Sequence, residues 1–131
     1  MILAALARPA LTALVLVSVY FVVPLDQVTG LSDVLFLVGG GVVVLLVGGW
    51  QVHRILAAEY PAVQAIEALI SVVSLHLVLF ATVYLRMSVV AADNFSEPLS
   101  RIDAIYFCLT VFATVGFGDI SAESEAARAV V

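Results

Sequence analysis

The chain reads as an all-α membrane protein with three transmembrane helices, a short re-entrant half-helix and an irregular return segment. Three observations predict this. Of the 131 residues, 64% are apolar and 11% charged, with a mean hydropathy of +1.22. A soluble domain carries roughly 25% charged residues, so the solvent is lipid. Three stretches reach the roughly 20 residues that a helix needs to cross the hydrocarbon core. A fourth is capped like a helix, is too short to cross, and runs straight into Thr114-Val115-Gly116-Phe117-Gly118-Asp119.

The first span runs from near Pro9 to Leu25, the second from Val34 to Val52 and the third from about Ala62 to Val90, long enough to tilt. Polar links at Asp26–Asp33 and Gln51–Pro61 join them. The first span has no Ala-x-Ala-like cleavage site at its far end and is expected to be retained. Tyr20, Trp50 and Tyr84 stand near span ends and read as interfacial anchors. Gly39-Gly40-Gly41 and Gly48-Gly49 share one face of the second helix, a seam for close helix packing. His76 lies mid-span, with Glu67, Ser71 and Ser74 on the same helix. It reads as a neutral imidazole bonded inside the bundle, with pH sensing as the alternative.

Charge and cysteine usage exclude several functions. A net charge of −5 leaves no basic stripe for nucleic acid. A single cysteine, Cys108, excludes a disulfide framework and reads as helix packing. A voltage sensor needs several arginines along one helix. The third span has only Arg86, and the second has none before Arg54.

After the third span, Ala91–Leu99 carries turn chemistry, and Ser100-Arg101-Ile102-Asp103 is a capping-box pattern that opens a helix. That helix, 101–113, is about 18–20 Å long at 1.5 Å per residue and enters a bilayer only part-way. The 114–119 segment then returns as irregular backbone, which membrane depth tolerates only where it lines a cavity or is buried in protein. Gly116 and Gly118 flank one aromatic and permit alternating dihedrals, so that successive carbonyls can face one axis. Four such strands around an axis make cages of oxygens that can replace the water around a cation.

On these residues the last third of the chain resembles the pore loop of tetrameric potassium channels. The resemblance implies a potassium-selective channel subunit with passive conduction through a carbonyl-lined selectivity filter, and no enzymatic step. It implies two units: residues 1–61, two transmembrane helices with a cytoplasmic link, and residues 62–131, a pore domain. The latter divides into outer helix 62–90, turret 91–100, pore half-helix 101–113, filter 114–119 and the start of an inner helix at 121–131. The carbonyls of Thr114, Val115, Gly116 and Phe117, with the Thr114 hydroxyl, would hold K+, and Gly116 and Gly118 would supply the dihedrals. Asp119 would stand at the outer mouth, and Tyr106, Phe107 and Thr110 would support the filter. No cofactor is expected beyond K+ as the permeant ion. The expected partners are three further copies of the chain and the bilayer, and no nucleic acid. The positive-inside count is near even. The resemblance orients the chain instead: the loop enters from outside, so the protein is a multi-pass plasma-membrane protein with a cytoplasmic N-terminus.

The chain departs from the pattern at four places. Phe117 replaces the commoner Tyr, Tyr106-Phe107 a Trp-Trp pair, Ala113-Thr114 a Thr-Thr pair, and Thr110 a frequent carboxylate. Phe107 and Phe117 lack donors, which predicts an apolar cuff around the filter in place of a hydrogen-bonded one. The final inner helix is missing: the residues after Gly118 cannot span, so the chain is expected to be cut short and, as it stands, not to conduct. Three other readings stay open. They are a non-selective or sodium-permeable pore, a non-conducting accessory membrane subunit, and a structural helical bundle with no ion role.

Overall fold

The computed structural model describes residues 61–131 and, before them, positions 13, 14, 16–18, 20–22, 30–32, 35, 38, 39, 42, 46, 49, 50 and 53. Every described position in 13–22 and 31–53 is helical. The rest of the first two predicted spans, and most of the glycine seam, lie outside the described residues.

Helix α1, Pro61–Val90, has 30 residues. Proline suits the first helical position because its missing N–H would have no partner there. Its hydroxyls are absorbed within the helix: Ser71 donates to the Glu67 carbonyl at 2.9 Å, Ser74 to Ile70 at 2.7 Å and Thr82 to Val78 at 2.7 Å. Such back-bonding lets polar residues sit in an apolar rod. Among the described residues α1 is the one helix long and apolar enough to cross a membrane, over Ala62–Val90. Helix α1 is closed by Asn94, whose side-chain amide donates to the Met87 carbonyl at 2.7 Å and satisfies one of the last-turn acceptors.

A 3-10 turn, Ala92–Asn94, leads to Phe95, which drops into the core. The Leu99 amide donates to the buried Ser88 hydroxyl of α1 at 2.8 Å. Helix α2, Arg101–Phe112, then opens on the expected capping box. Ser100 accepts from the Asp103 amide, and Asp103 accepts from the Ser100 amide at 2.9 Å. These bonds, the Ser100 hydroxyl first, hold the Asp103 carboxyl below its ordinary value. With 12 residues, α2 is about 18 Å long, too short to span.

Helices α1 and α2 share a core in which Ala81 and Ala104 are completely buried. Its centre is a triangle of edge-on rings, with Tyr84–Phe107 at 5.3 Å, Phe95–Phe107 at 5.6 Å and Tyr84–Phe95 at 6.1 Å. This is the geometry that aromatic quadrupoles favour. Tyr20 and Tyr84 are each only 2% exposed. That corrects the expectation that both anchor at the membrane interface. Trp50 is exposed. His76 packs its ring against Phe80 at 4.4 Å and Phe112 at 5.3 Å.

After the 114–119 segment the chain comes back alongside the turn at 94–96. Ser96 donates its amide to the Ser121 carbonyl at 2.9 Å, Glu123 donates to the Asn94 carbonyl at 2.9 Å, and Phe95 and Ala122 form an isolated antiparallel bridge. Helix α3, Glu125–Val130, begins there with Ser124 as its cap. The Ser124 hydroxyl accepts from the Ala127 amide and donates to the Asn94 side-chain oxygen at 2.6 Å. Asn94 thus ties the end of α1 to the start of α3.

Candidate functional site

The candidate site is the 114–119 segment and the end of α2 that presents it. Backbone φ is +58° at Thr114, +52° at Gly116 and +79° at Gly118, and is not positive at Val115 or Phe117. The sign therefore alternates residue by residue. Alternation turns the peptide planes in a regular way and is open to glycine at little cost. Thr114 is the exception, since a β-branched residue with φ in this range is strained. No local pattern of residues marks this strain.

Helix α2 ends by handing its carbonyls to this segment. Ala113 closes the helix with its amide on the Leu109 carbonyl at 2.9 Å, and the Thr114 amide bonds the Val111 carbonyl at 2.9 Å. The Thr110 carbonyl then accepts two amides, Val115 at 2.9 Å and Gly116 at 3.2 Å. The Thr110 hydroxyl is turned inward onto the Phe107 carbonyl at 2.9 Å. Thr110 thus supports the segment through its backbone oxygen, a role its side-chain chemistry does not advertise.

The C-terminal end of the segment is held by a bond that links Tyr106 to Asp119. The Tyr106 hydroxyl donates to the Asp119 carboxylate at 2.7 Å, and the Ile120 amide donates to the other carboxylate oxygen at 3.0 Å. The Tyr106 ring also lies parallel to that of Phe117, with centroids 6.4 Å apart and planes 2° from parallel. Phe107 faces the other way, into the ring triangle of the core. Within the chain, therefore, no Phe107–Phe117 cuff forms: Phe117 has Tyr106 beside it, and the support includes a hydrogen bond. Residues 106 and 107 leave α2 about 100° apart around its axis, as adjacent positions on a helix do, and so meet different neighbours.

The Tyr106 hydroxyl holds the Asp119 carboxyl below its ordinary value of 3.8. A depressed carboxyl favours the folded state when ionised, so its contribution is complete above the unfolded value and lost as pH falls through the folded one. Tyr106→Phe is therefore expected to lower the melting temperature at pH 7. The gap between variant and parent should close as pH falls below about 4, where the carboxylate protonates. A gap that persists undiminished at pH 2 would show that the ring, not the bond, is responsible.

Val115 and Phe117 are 55% and 70% exposed, and Leu109 and Phe112 on α2 are exposed as well. Apolar side chains on a helix can face lipid. Those on irregular backbone cannot, because the polar groups beside them would be stranded.

A family model described as "Ion channel" matches residues 72–131. Those residues match an ion channel. The matched region begins inside α1 and takes in α2, the 114–119 segment and α3. The matched residues are similar to an ion channel, and within them and just before them α1 is long and apolar enough to cross a membrane. No curated protein matches the chain, and no solved structure does.

Proposed function

We propose that the chain is a subunit of a potassium-selective channel, in which four copies bring their 114–119 segments together around one axis. The observation that carries this reading is the alternating sign of φ at 114, 116 and 118, directly after a capped half-helix. With such alternation the carbonyls of Thr114, Val115, Gly116 and Phe117 can line the axis and replace the water of a dehydrated K+. The Thr114 hydroxyl adds an oxygen at the inner end. Helix α2 aims its C-terminus toward the segment, so its partial negative charge favours a cation there. Asp119, exposed and ionised, raises the local cation concentration at the mouth. One chain supplies one strand of the cage. The exposed Val115 and Phe117 need protein cover, which neighbouring copies would provide. The conducted ion moves down its electrochemical gradient in the plasma membrane, and no resident cofactor takes part.

A selective cage binds K+ in the folded assembly only, so K+ should stabilise it by mass action, about 2.7 kcal/mol at one hundred times the dissociation constant. The 131-residue chain in detergent is expected to melt higher in KCl than in NaCl of equal ionic strength. Equal stabilisation by both ions would point to a non-selective pore. No stabilisation by either would overturn the channel reading.

A further inference from the structure

We infer that the helical segment around Tyr20 is a positioning element for the 114–119 segment, acting through a reciprocal clamp between Tyr20 and Arg101. This rests on the proposed ion-binding role of that segment. Arg101 occupies the first position of α2, directly after the Ser100 cap. A cation there opposes the helix dipole, so its placement needs another reason. The guanidinium finds one 80 residues away in sequence: Nη1 donates to the Tyr20 carbonyl at 2.6 Å and to the Phe21 carbonyl at 3.1 Å. The bonding is returned, because the Tyr20 hydroxyl donates to the Arg101 carbonyl at 2.9 Å. Tyr20 is 2% exposed and belongs to the same core as Phe107 and Cys108. The clamp therefore grips both the side chain and the backbone of one residue, with a buried ring behind it.

Helix α2 is a short, internally bonded rod. Its near end is held by this clamp, and its far end offers the Thr110 carbonyl that accepts the Val115 and Gly116 amides. A shift of the Tyr20 segment would move the rod and so change the alignment of those two amides. Residue 20 lies well outside the matched region, which starts at 72. The inference adds a control point that the family match does not contain: an N-terminal helix that sets the geometry of the ion site from its outer end.

The test uses the 131-residue chain with Tyr20→Phe and Arg101→Lys, and Ser18→Ala as a control on the same segment, since the exposed Ser18 hydroxyl, among the described residues, bonds back to Leu14 at 2.7 Å. Amide hydrogen exchange across 61–118 is followed by mass spectrometry, and the K+ midpoint for thermal stabilisation is measured alongside. Tyr20→Phe is expected to speed exchange about fivefold, the scale of one lost neutral hydrogen bond, both in the first turn of α2 and at Val115 and Gly116. The K+ midpoint should rise by a similar factor, and Ser18→Ala should do neither. Faster exchange confined to the first turn of α2 would overturn the proposal, as would unchanged exchange throughout. A rise spread evenly over mid-α1 amides in both clamp variants would also overturn it, because that is what loss of an ordinary core residue produces. If the parent chain shows no preference for K+, the potassium-selective reading fails, and the exchange pattern still decides the clamp.

Discussion

Phe107→Ala is expected to lower the folding stability of the chain by about 3 kcal/mol, the lower end of the range for a large buried aromatic. Phe107 is 5% exposed and touches two rings from different parts of the chain, Tyr84 of α1 and Phe95 of the turn after it. Its removal empties the centre of the triangle and forfeits two edge-on ring contacts, each worth roughly 0.5–1.5 kcal/mol beyond burial. The lower end of the range applies because apolar transfer drives little association inside a membrane, where lipid is as apolar as the core. Cavity and packing losses are what remain. Denaturation of the purified protein in micelles measures the change, and Phe107→Leu should recover more than half of it by refilling most of the volume. A loss under about 1 kcal/mol for Phe107→Ala would mean that the ring is not a core residue.

How far the fold could be read from the residues follows from how local each signal is. The span Ala62–Val90 was legible because a long apolar run stops at the turn residues Ala91–Leu99, and the structure has α1 over Pro61–Val90. The start of α2 was legible to the residue, since a capping box is a four-residue pattern with its own hydrogen bonds. The positive φ of Gly116 and Gly118 followed from glycine itself. The next helix was expected from Ser121 onward, and its cap is Ser124, because Ser121 is engaged with Ser96 in the return past the turn. What could not be read depends on contacts that no period encodes. Tyr106 meets Asp119 across 13 residues, and Tyr20 meets Arg101 across 81. The burial of Tyr20 and Tyr84 belongs to the same class: an aromatic near a span end has the same composition whether it faces headgroups or a neighbouring helix. The strained Thr114 is legible only once the Thr110 carbonyl is seen to draw the following two amides inward.

Gly116→Ala is expected to abolish the preference for K+ over Na+ while leaving the chain folded. The two effects separate because of what surrounds this glycine. A Cβ built at Gly116 meets nothing within 4 Å, so the substitution creates no clash in the chain. Its cost is conformational: φ is +52°, and an L-residue in that region pays roughly 1–2 kcal/mol. A loss of that size is tolerable for α1, α2 and their ring core, which residue 116 meets only through its amide's bond to the Thr110 carbonyl. The same strain acts where the ion would sit. The segment can relieve it by rotating φ to a negative value, and the alternation at 114, 116 and 118 then breaks in the middle. Carbonyls 115 and 116 would leave the axis, and two of the proposed oxygen layers would go with them. Melting temperatures in KCl and NaCl should therefore converge for the variant, with helical content by circular dichroism unchanged. A structural bundle with no ion role makes the opposite forecast: the small strain cost appears equally in both salts, and no K+ preference exists to be lost. Retention of the full K+ preference in Gly116→Ala would show that the alternating backbone is not the ion site.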